Sequence, residues 1–355
     1  MAPVVYALRE QAGLEPLLLV TGQHREQLDQ MLRIFDLTPD ADLDMMRESQ
    51  TLPDLMGRIV PAAAKELQVL QPDYVLVHGD TLSTFAVSLA AFFEGISVAH
   101  VEAGLRSFDM AQPFPEEANR RLTDVLTDVD LPPTPWAKQN LLAEGKREDK
   151  LVVTGNTAVD AVKILEASAV LPTHLPKDNL IYVTMHRREN LGVMRGLAEA
   201  IAGVARAFPD YTFAYPVHLN PAVREAVYPA MEGVPNIILD EPYDFLTSLA
   251  AQKYAELIIT DSGGIQEEGT ALGVPVVVLR NVTERPEGAQ VGALKLAGNE
   301  PEEVKAVLMD LLGDEAKRSA MRQKRNPYGD GYAGKRISQA VAWRLGLAER
   351  PQNWR

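Results

Sequence analysis

The sequence predicts an α/β protein built as two domains, each a doubly wound parallel sheet. Three observations carry that prediction. The chain has 355 residues, too long for one typical domain and suited to two. Apolar residues make up 46% but aromatics only 6%, a mix dominated by Ala, Leu and Val that favours helices on buried parallel strands over an all-β sandwich. Short apolar runs alternate with helical patterns along the whole chain, as repeated strand–loop–helix units do.

Taken in order, residues 17–20 read as a buried strand ending in Thr21-Gly22, followed by a helix over 28–35. Tyr74–His78 is a strand running into Gly79-Asp80, and Leu82–Phe93 is a helix. Ser97–Val101 is a strand; 151–153 is another, ending in Thr154-Gly155-Asn156 before a helix that starts near Ala158. Residues 167–179, ASAVLPTHLPKDN, hold two prolines and little periodicity and read as a linker. It separates domain 1–168 from domain 169–355. Beyond it come strand Leu180–Thr184, helix Met194–Ala207, and strands over 211–217, 237–239 and 257–260. A helix runs to about Leu272, then a strand over 274–279. Helices close the chain at 302–312, with Pro301 at the first turn, and at 337–345. The last helix is expected to pack back on the N-terminal domain.

Composition excludes several classes. There is no cysteine, so neither disulfides nor thiolate metal sites can form. No signal-peptide pattern opens the chain, and apolar runs such as 274–279 are too short to cross a bilayer, so a cytoplasmic protein without membrane contact is expected. The net charge of −14, with no basic stripe, argues against nucleic acid. Any phosphate site must be built from local donors.

In doubly wound sheets ligands bind beyond the C-terminal ends of the strands, here in a cleft expected between the domains. The polar residues fall there. In LIITDSGGIQEEGTALGVPVVVL (257–279) a strand stops, a Ser-Gly-Gly turn follows and a helix begins. Free N–H groups at a helix start favour an anion, and glycine lets backbone approach it closely. Ser262 adds a hydroxyl beside Gly263 and Gly264, Arg285 lies within reach on the next loop, and Glu268 suits ribose hydroxyls better than phosphate. The same turn also reads as a capped helix start with acidic residues at its positive end.

Asp80, at the end of YVLVHGD, is a catalytic carboxylate or a helix cap. Glu102, after the apolar strand of AHVEAGLRS, is a costly place for an unpartnered carboxylate. Glu116 follows Pro115 at a helix start, which is ordinary first-turn chemistry. Together, three post-strand carboxylates in one half can separate an acid from a base. His186 in YVTMHRREN, His24 in TGQHREQ and His218 in YPVHLNP also lie just beyond strands. Their spacing matches no zinc pattern, and no metal is expected.

These motifs together resemble the non-hydrolysing UDP-N-acetylglucosamine 2-epimerases. The matching strings are TGQHREQLDQ, VLVHGDT, HVEAGLRS, PEEANR, TGNTAVDA, HRREN, YPVHLNP, TDSGGIQEE, TERPEG and NPYGDG, in family order from near residue 1 to about residue 340. The resemblance implies two Rossmann-like domains of the glycosyltransferase-B type. It implies conversion of UDP-N-acetylglucosamine to UDP-N-acetylmannosamine by elimination of UDP to 2-acetamidoglucal and re-addition, without a cofactor, in a homodimer. Asp80, Glu102 and Glu116 become acid/base carboxylates with individual roles unassigned, and His186 a histidine near the phosphates. Ser262, Gly263, Gly264, Glu268 and Arg285 match UDP-binding positions. Gln23, His24, Gln50, Arg187 and His218 look like parts of a second, activating UDP-N-acetylglucosamine site, although Ser49 stands where an arginine is expected.

The family opens with a strand and a motif of the form GTRPEAIK-MAP. Met1-Ala2-Pro3 looks like its tail, which implies that a first strand, with an arginine and a lysine that touch substrate, is missing from the N-terminal sheet. A start codon assigned too late is the expected explanation, and a true truncation the other. The alternatives to the epimerase are a hydrolysing epimerase or retaining glycosyltransferase of the same fold, or an inactive UDP-sugar binder.

Overall fold

The computed structural model describes residues 1–23, 25–47, 50–168 and 171–355. By packing, the chain divides into two compact units, Met1–Ala161 with Gly329–Arg355, and Val162–Tyr328. The first crossing thus falls within helix Thr157–Ser168, where the sequence suggested a boundary after residue 168.

In the first unit β1 (Leu19–Val20) pairs in parallel with β2 (Ala41–Asp42). β3 (Tyr74–His78), β4 (Ser97–Val101) and β5 (Val129–Leu131) form a second parallel sheet in that order. β4 is buried on both faces, which is why it reads as an apolar run. Val98, with Val75 and Val77, packs on helices Leu52–Leu70 and Leu82–Phe93 through Leu55, Ile59, Ala63, Ala86 and Ala90. Ala99, Val101, Val129 and Leu131 pack on the other side against Val4 and Leu8, and against Ile337, Ala340 and Val341 of helix Ala333–Arg344. That last helix therefore belongs to the first unit.

Two expectations need correction. The strand at 151–153 is only a bridge from Leu151 to Asp130. Its neighbour continues as Pro132-Pro133, whose carbonyls accept from Thr154 N (3.0 Å) and Gly155 N (3.1 Å) but which have no N–H to return. The missing first strand is likewise not supported. The described chain opens as helix Ala2–Glu10, with Val4, Val5 and Leu8 buried in the core, and Gly334 packs so tightly on Pro3 that a Cβ there would lie 2.6 Å from its carbonyl oxygen.

The second unit holds one six-stranded parallel sheet. Its strands are β6 (Leu180–Thr184), β7 (Thr212–Pro216), β8 (Ile237–Asp240), β9 (Ala255–Thr260), β10 (Val276–Val278) and β11 (Leu294–Leu296). The spatial order β8-β7-β6-β9-β10-β11 is the doubly wound Rossmann arrangement. Ile181 and Val183 face one layer of helices, Met194–Ala207, Pro221–Met231 and Pro301–Gly313. Leu180 and Tyr182 face the other core, with Ala251, Ile258 and Val276. The strand order reverses between β6 and β9, so their C-terminal ends form the switch point. Thr184 Oγ1 and Thr260 Oγ1 are 2.8 Å apart there.

Candidate active site

Each unit carries one group of the candidate residues. In the first unit, Asp80 follows β3 on a turn whose Gly79 has φ 70°. Its carboxylate is gripped by Arg120, whose Nη2 and Nε donate to Oδ2 at 2.6 and 3.0 Å, and Asn119 Nδ2 donates to the Asp80 carbonyl at 3.0 Å. Arg120 Nη1 also meets Glu117 Oε2 at 3.1 Å. Glu117 in turn accepts from the backbone of Ser107 and Phe108. Thr81, not Asp80, caps the following helix, accepting from Thr84 N at 3.3 Å. The carboxylate of Asp80 is therefore free of cap duty.

Glu102 follows β4 and holds a left-handed backbone, φ 67°, which is strained for a residue with a Cβ. Asn156 Nδ2 donates to its Oε2 at 3.1 Å, and His78 Nε2 lies 3.9 Å away. Desolvation pushes His78 down to about 3, so the ring is neutral near pH 7. Glu116 opens helix Glu116–Leu126 with no side-chain cap in place. Its Oε2 is buried and without a hydrogen-bond partner among the described residues.

Glu116, Arg120 and Asp124 recur every four residues, so they share one face of that helix. Arg120 holds Asp80. Asp124 holds His100, a fully buried ring inside β4, with Oδ1 2.5 Å from Nδ1; the other ring nitrogen lies 2.7 Å from the Gly79 carbonyl. Arg106 joins Asp124 to Glu144. Arg120, Asp124 and His100 are not among the residues the motifs single out. The four-residue spacing, and a histidine in an otherwise apolar strand, were the available signals.

His100, Asp124 and Asp130 place ligand-type atoms within 4.8 Å of one another. That donor set does not fit a metal ion. Arg106 already meets Asp124, and Lys146 Nζ lies 3.0 Å from Asp130 Oδ2. Burial and the nearby Asp124 push Asp130 up to about 6.

Gln23 Oε1 accepts from Ser83 Oγ at 2.8 Å, and Ser83 lies 3.0 Å from Thr21 Oγ1. Arg58 donates to Gln50 and to the Met45 carbonyl, while Met45 N donates to Thr21 O. These bonds bring Gln23 and Gln50 to one region of the first unit. His24 and Ser49 lie outside the described residues.

In the second unit the switch point is organised by Asp261. Fully buried, it accepts from His186 N at 3.0 Å, Arg187 N at 2.9 Å and Asn190 Nδ2 at 3.1 Å. Its carboxylate thus fixes the loop after β6 and does not face a phosphate. The His186 ring stacks on His218, centroids 5.5 Å apart and planes 15° apart. Burial lowers the His186 imidazole, and His218 and Arg187 push the same way against Asp261. Asn220 N donates to His218 Nδ1 at 3.0 Å, which leaves the His218 proton on Nε2. Arg187 Nε is buried and makes no hydrogen bond among the described residues.

Ser262 is the N-cap residue of helix Gly263–Ala271, but its side chain makes no capping bond. The first-turn N–H groups and the Ser262 hydroxyl remain available to an anion. Arg285 lies over this turn: a Cβ on Gly263 would come within 2.8 Å of its Nη1. The guanidinium is already bonded to Glu267 and Glu284, so less of its charge is available to a ligand than the sequence suggested. Glu268 Oε2 accepts from Gln252 Nε2 at 2.7 Å, and burial raises its carboxyl above the usual range. Gly264 is open on this side, its nearest neighbour for an added Cβ being Glu268 Oε1 at 3.9 Å.

Comparison with known proteins gives one answer. The family model described as UDP-N-acetylglucosamine 2-epimerase matches residues 6–342. A Bacillus subtilis protein named UDP-N-acetylglucosamine 2-epimerase is 43% identical, the match covering 100% of this chain and 94% of that protein. The S. aureus MnaA–UDP structure is 41% identical with a TM-score of 0.90, covering 100% of this chain and 96% of that one. The Neisseria meningitidis UDP-GlcNAc 2-epimerase bound to UDP-GlcNAc is 39% identical with a TM-score of 0.89, covering 96% and 95%. With Rossmann-like parallel sheets in both units and a match over nearly its full length, the chain belongs to the UDP-N-acetylglucosamine 2-epimerase family.

Proposed function

We propose that this protein interconverts UDP-N-acetylglucosamine and UDP-N-acetylmannosamine without hydrolysis. The observation that carries the reading is the start of helix Gly263–Ala271, at the switch point of the second sheet, with its first turn and the Ser262 hydroxyl uncapped. A diphosphate fits such a turn, and the family supplies the uridine nucleotide.

In this reading a carboxylate takes the C2 proton of the sugar. The C2–H electron pair becomes the C1–C2 double bond, and the C1–O bond breaks toward the phosphate. UDP leaves, its oxygen neutralised by the helix start and Arg285 and by a proton donor. The product is 2-acetamidoglucal. A proton then returns to C2 from the opposite face, and UDP adds back at C1. Asp80, Glu102 and Glu116 are the acid/base carboxylates, and His186 acts beside the phosphates. UDP is held by Ser262, Gly263, Gly264, Glu268 and Arg285 throughout, which is what separates epimerisation from hydrolysis. Gln23, His24, Gln50, Arg187 and His218 belong, on this reading, to a second UDP-N-acetylglucosamine site. We assign the active form to a cytoplasmic homodimer.

Incubation with UDP-N-acetylglucosamine in deuterium oxide tests the reaction. UDP-N-acetylmannosamine carrying deuterium at C2 is the expected product. Stoichiometric free sugar with no C2 exchange would overturn it.

A further inference from the structure

The Gly79–Asp80 turn is held from two sides by one helix. Arg120 grips the Asp80 carboxylate directly, and Asp124, one turn further on, acts through His100. The His100 ring is fully buried, and each of its nitrogens has a partner of fixed polarity. Nε2 is 2.7 Å from the Gly79 carbonyl, which can only accept, so Nε2 carries a proton. Nδ1 is 2.5 Å from Asp124 Oδ1. Asp124 Oδ2 accepts from the Arg106 guanidinium, whose charge favours the carboxylate as the anion and so places the shared proton on Nδ1. Geometry fixes the Nε2 proton, and the adjoining Asp124–Arg106 pair favours the second proton on Nδ1, which makes the ring an imidazolium.

The surroundings agree. Burial alone would lower the His100 imidazole, but the charge and hydrogen bond of Asp124, helped by Asp130, outweigh it and raise it. The same bonds, with Arg106, outweigh burial at Asp124 and lower it. Asp130, from β5, adds a carboxylate whose own cation is Lys146, while His78 on β3 is neutral. His100 also stands two residues before Glu102, so it ties the end of β4 to the end of β3.

We propose that His100, fixed by Asp124, is a positioning residue for the reaction, a permanent imidazolium that locks the Gly79–Asp80 turn to the strand leading to Glu102. It touches no substrate. The proposal rests on the epimerase reading for its kinetic consequence, but not for the protonation state.

Two measurements decide it. In protein labelled with 15N-histidine, His100 shows two protonated, pyrrole-like ring nitrogens between about pH 6 and 8. A pyridine-like resonance from His100 in that range overturns the imidazolium whatever the enzyme does. In kinetics, His100→Ala loses about 100-fold in kcat, as misplacement of a catalytic group does, while KM and the UDP-induced thermal shift stay near wild type. His100→Gln, whose amide nitrogen can still donate to Gly79, recovers most of that loss. Wild-type kcat in His100→Ala, or equal loss in both folded variants, overturns the positioning role. Absence of turnover in the wild type would instead sink the epimerase reading, and the labelled spectrum would still judge the imidazolium.

Discussion

Glu116 differs from the other candidate carboxylates in its bonding. Both Arg120 bonds to Asp80 fall on Oδ2, and Glu102 takes a bond from Asn156, but Glu116 Oε2 is buried with no hydrogen-bond partner among the described residues. A buried, unsatisfied oxygen costs stability, and such costs collect where a ligand or a proton will satisfy them. Glu116→Gln keeps the shape and removes the ionisable carboxyl. We expect turnover to fall by about 100-fold or more, in line with loss of a general acid–base group. UDP should still raise the melting temperature, because the proposed UDP positions lie in the second unit. Steady-state rates and a thermal shift with UDP check both halves, and wild-type turnover would remove Glu116 from the mechanism. Arg120 is a different case. It is buried with two carboxylates, Asp80 and Glu117, so its removal would leave buried charge unpaired and damage fold and site together.

Helices in the first unit are fastened by charge at defined points. Asp128 accepts from Arg344 Nε and Nη2, both at 2.7 Å, from Lys150 at 2.9 Å and from Tyr74 at 2.7 Å. Burial opposes ionisation there, but these bonds outweigh it and hold the carboxyl near 2. Its folded value lies below the unfolded one of about 4. The clamp thus contributes fully above about pH 4 and is lost as pH falls toward 2. Asp128→Asn should lower stability at pH 7 by on the order of 1–2 kcal/mol, after allowance for partial exposure, and flatten the acid limb. Melting temperatures from pH 7 to 2 test this; parallel acid limbs would count against it. Elements differed in how plainly they could be read. β3, β4 and β6 matched residue for residue because each is an apolar run ended by a polar turn. β2, β5 and β11, only two or three residues each, left no run to detect. Helix Leu52–Leu70 was hidden by Pro53 and Pro61. In the candidate site, residues beyond strand ends could be picked out because strand ends are where ligands bind in such sheets. His100, Arg120 and Asp124 were not, since their partners come from sequence positions 18 to 40 residues away.

The whole chain folds its N-terminal unit with its own C-terminus. Asp160 accepts from the first-turn nitrogens of helix Ala333–Arg344, Ala333 at 3.1 Å and Gly334 at 2.8 Å. Ile337, Ala340 and Val341 fill the core beside Val4 and Val129. Arg336 donates to the Thr154 carbonyl at 3.0 Å, and Trp354 N to the Val153 carbonyl at 2.8 Å. The second unit needs none of this, for its sheet and both its cores lie within Val162–Tyr328. Ending the chain at Tyr328 should therefore divide the two functions. Apolar surface of β4 and β5 would be uncovered, and amides there should lose their slow hydrogen exchange. Amides of β6 and β9 should keep theirs, and UDP should still bind, while epimerisation, for which we propose Asp80, Glu102 and Glu116 as the acid/base carboxylates, should vanish. Hydrogen exchange by mass spectrometry and UDP titration of the truncated chain give the test. Retained turnover would show that the first unit holds its carboxylates without the returning helix, and loss of UDP binding would show that the second unit does not stand alone.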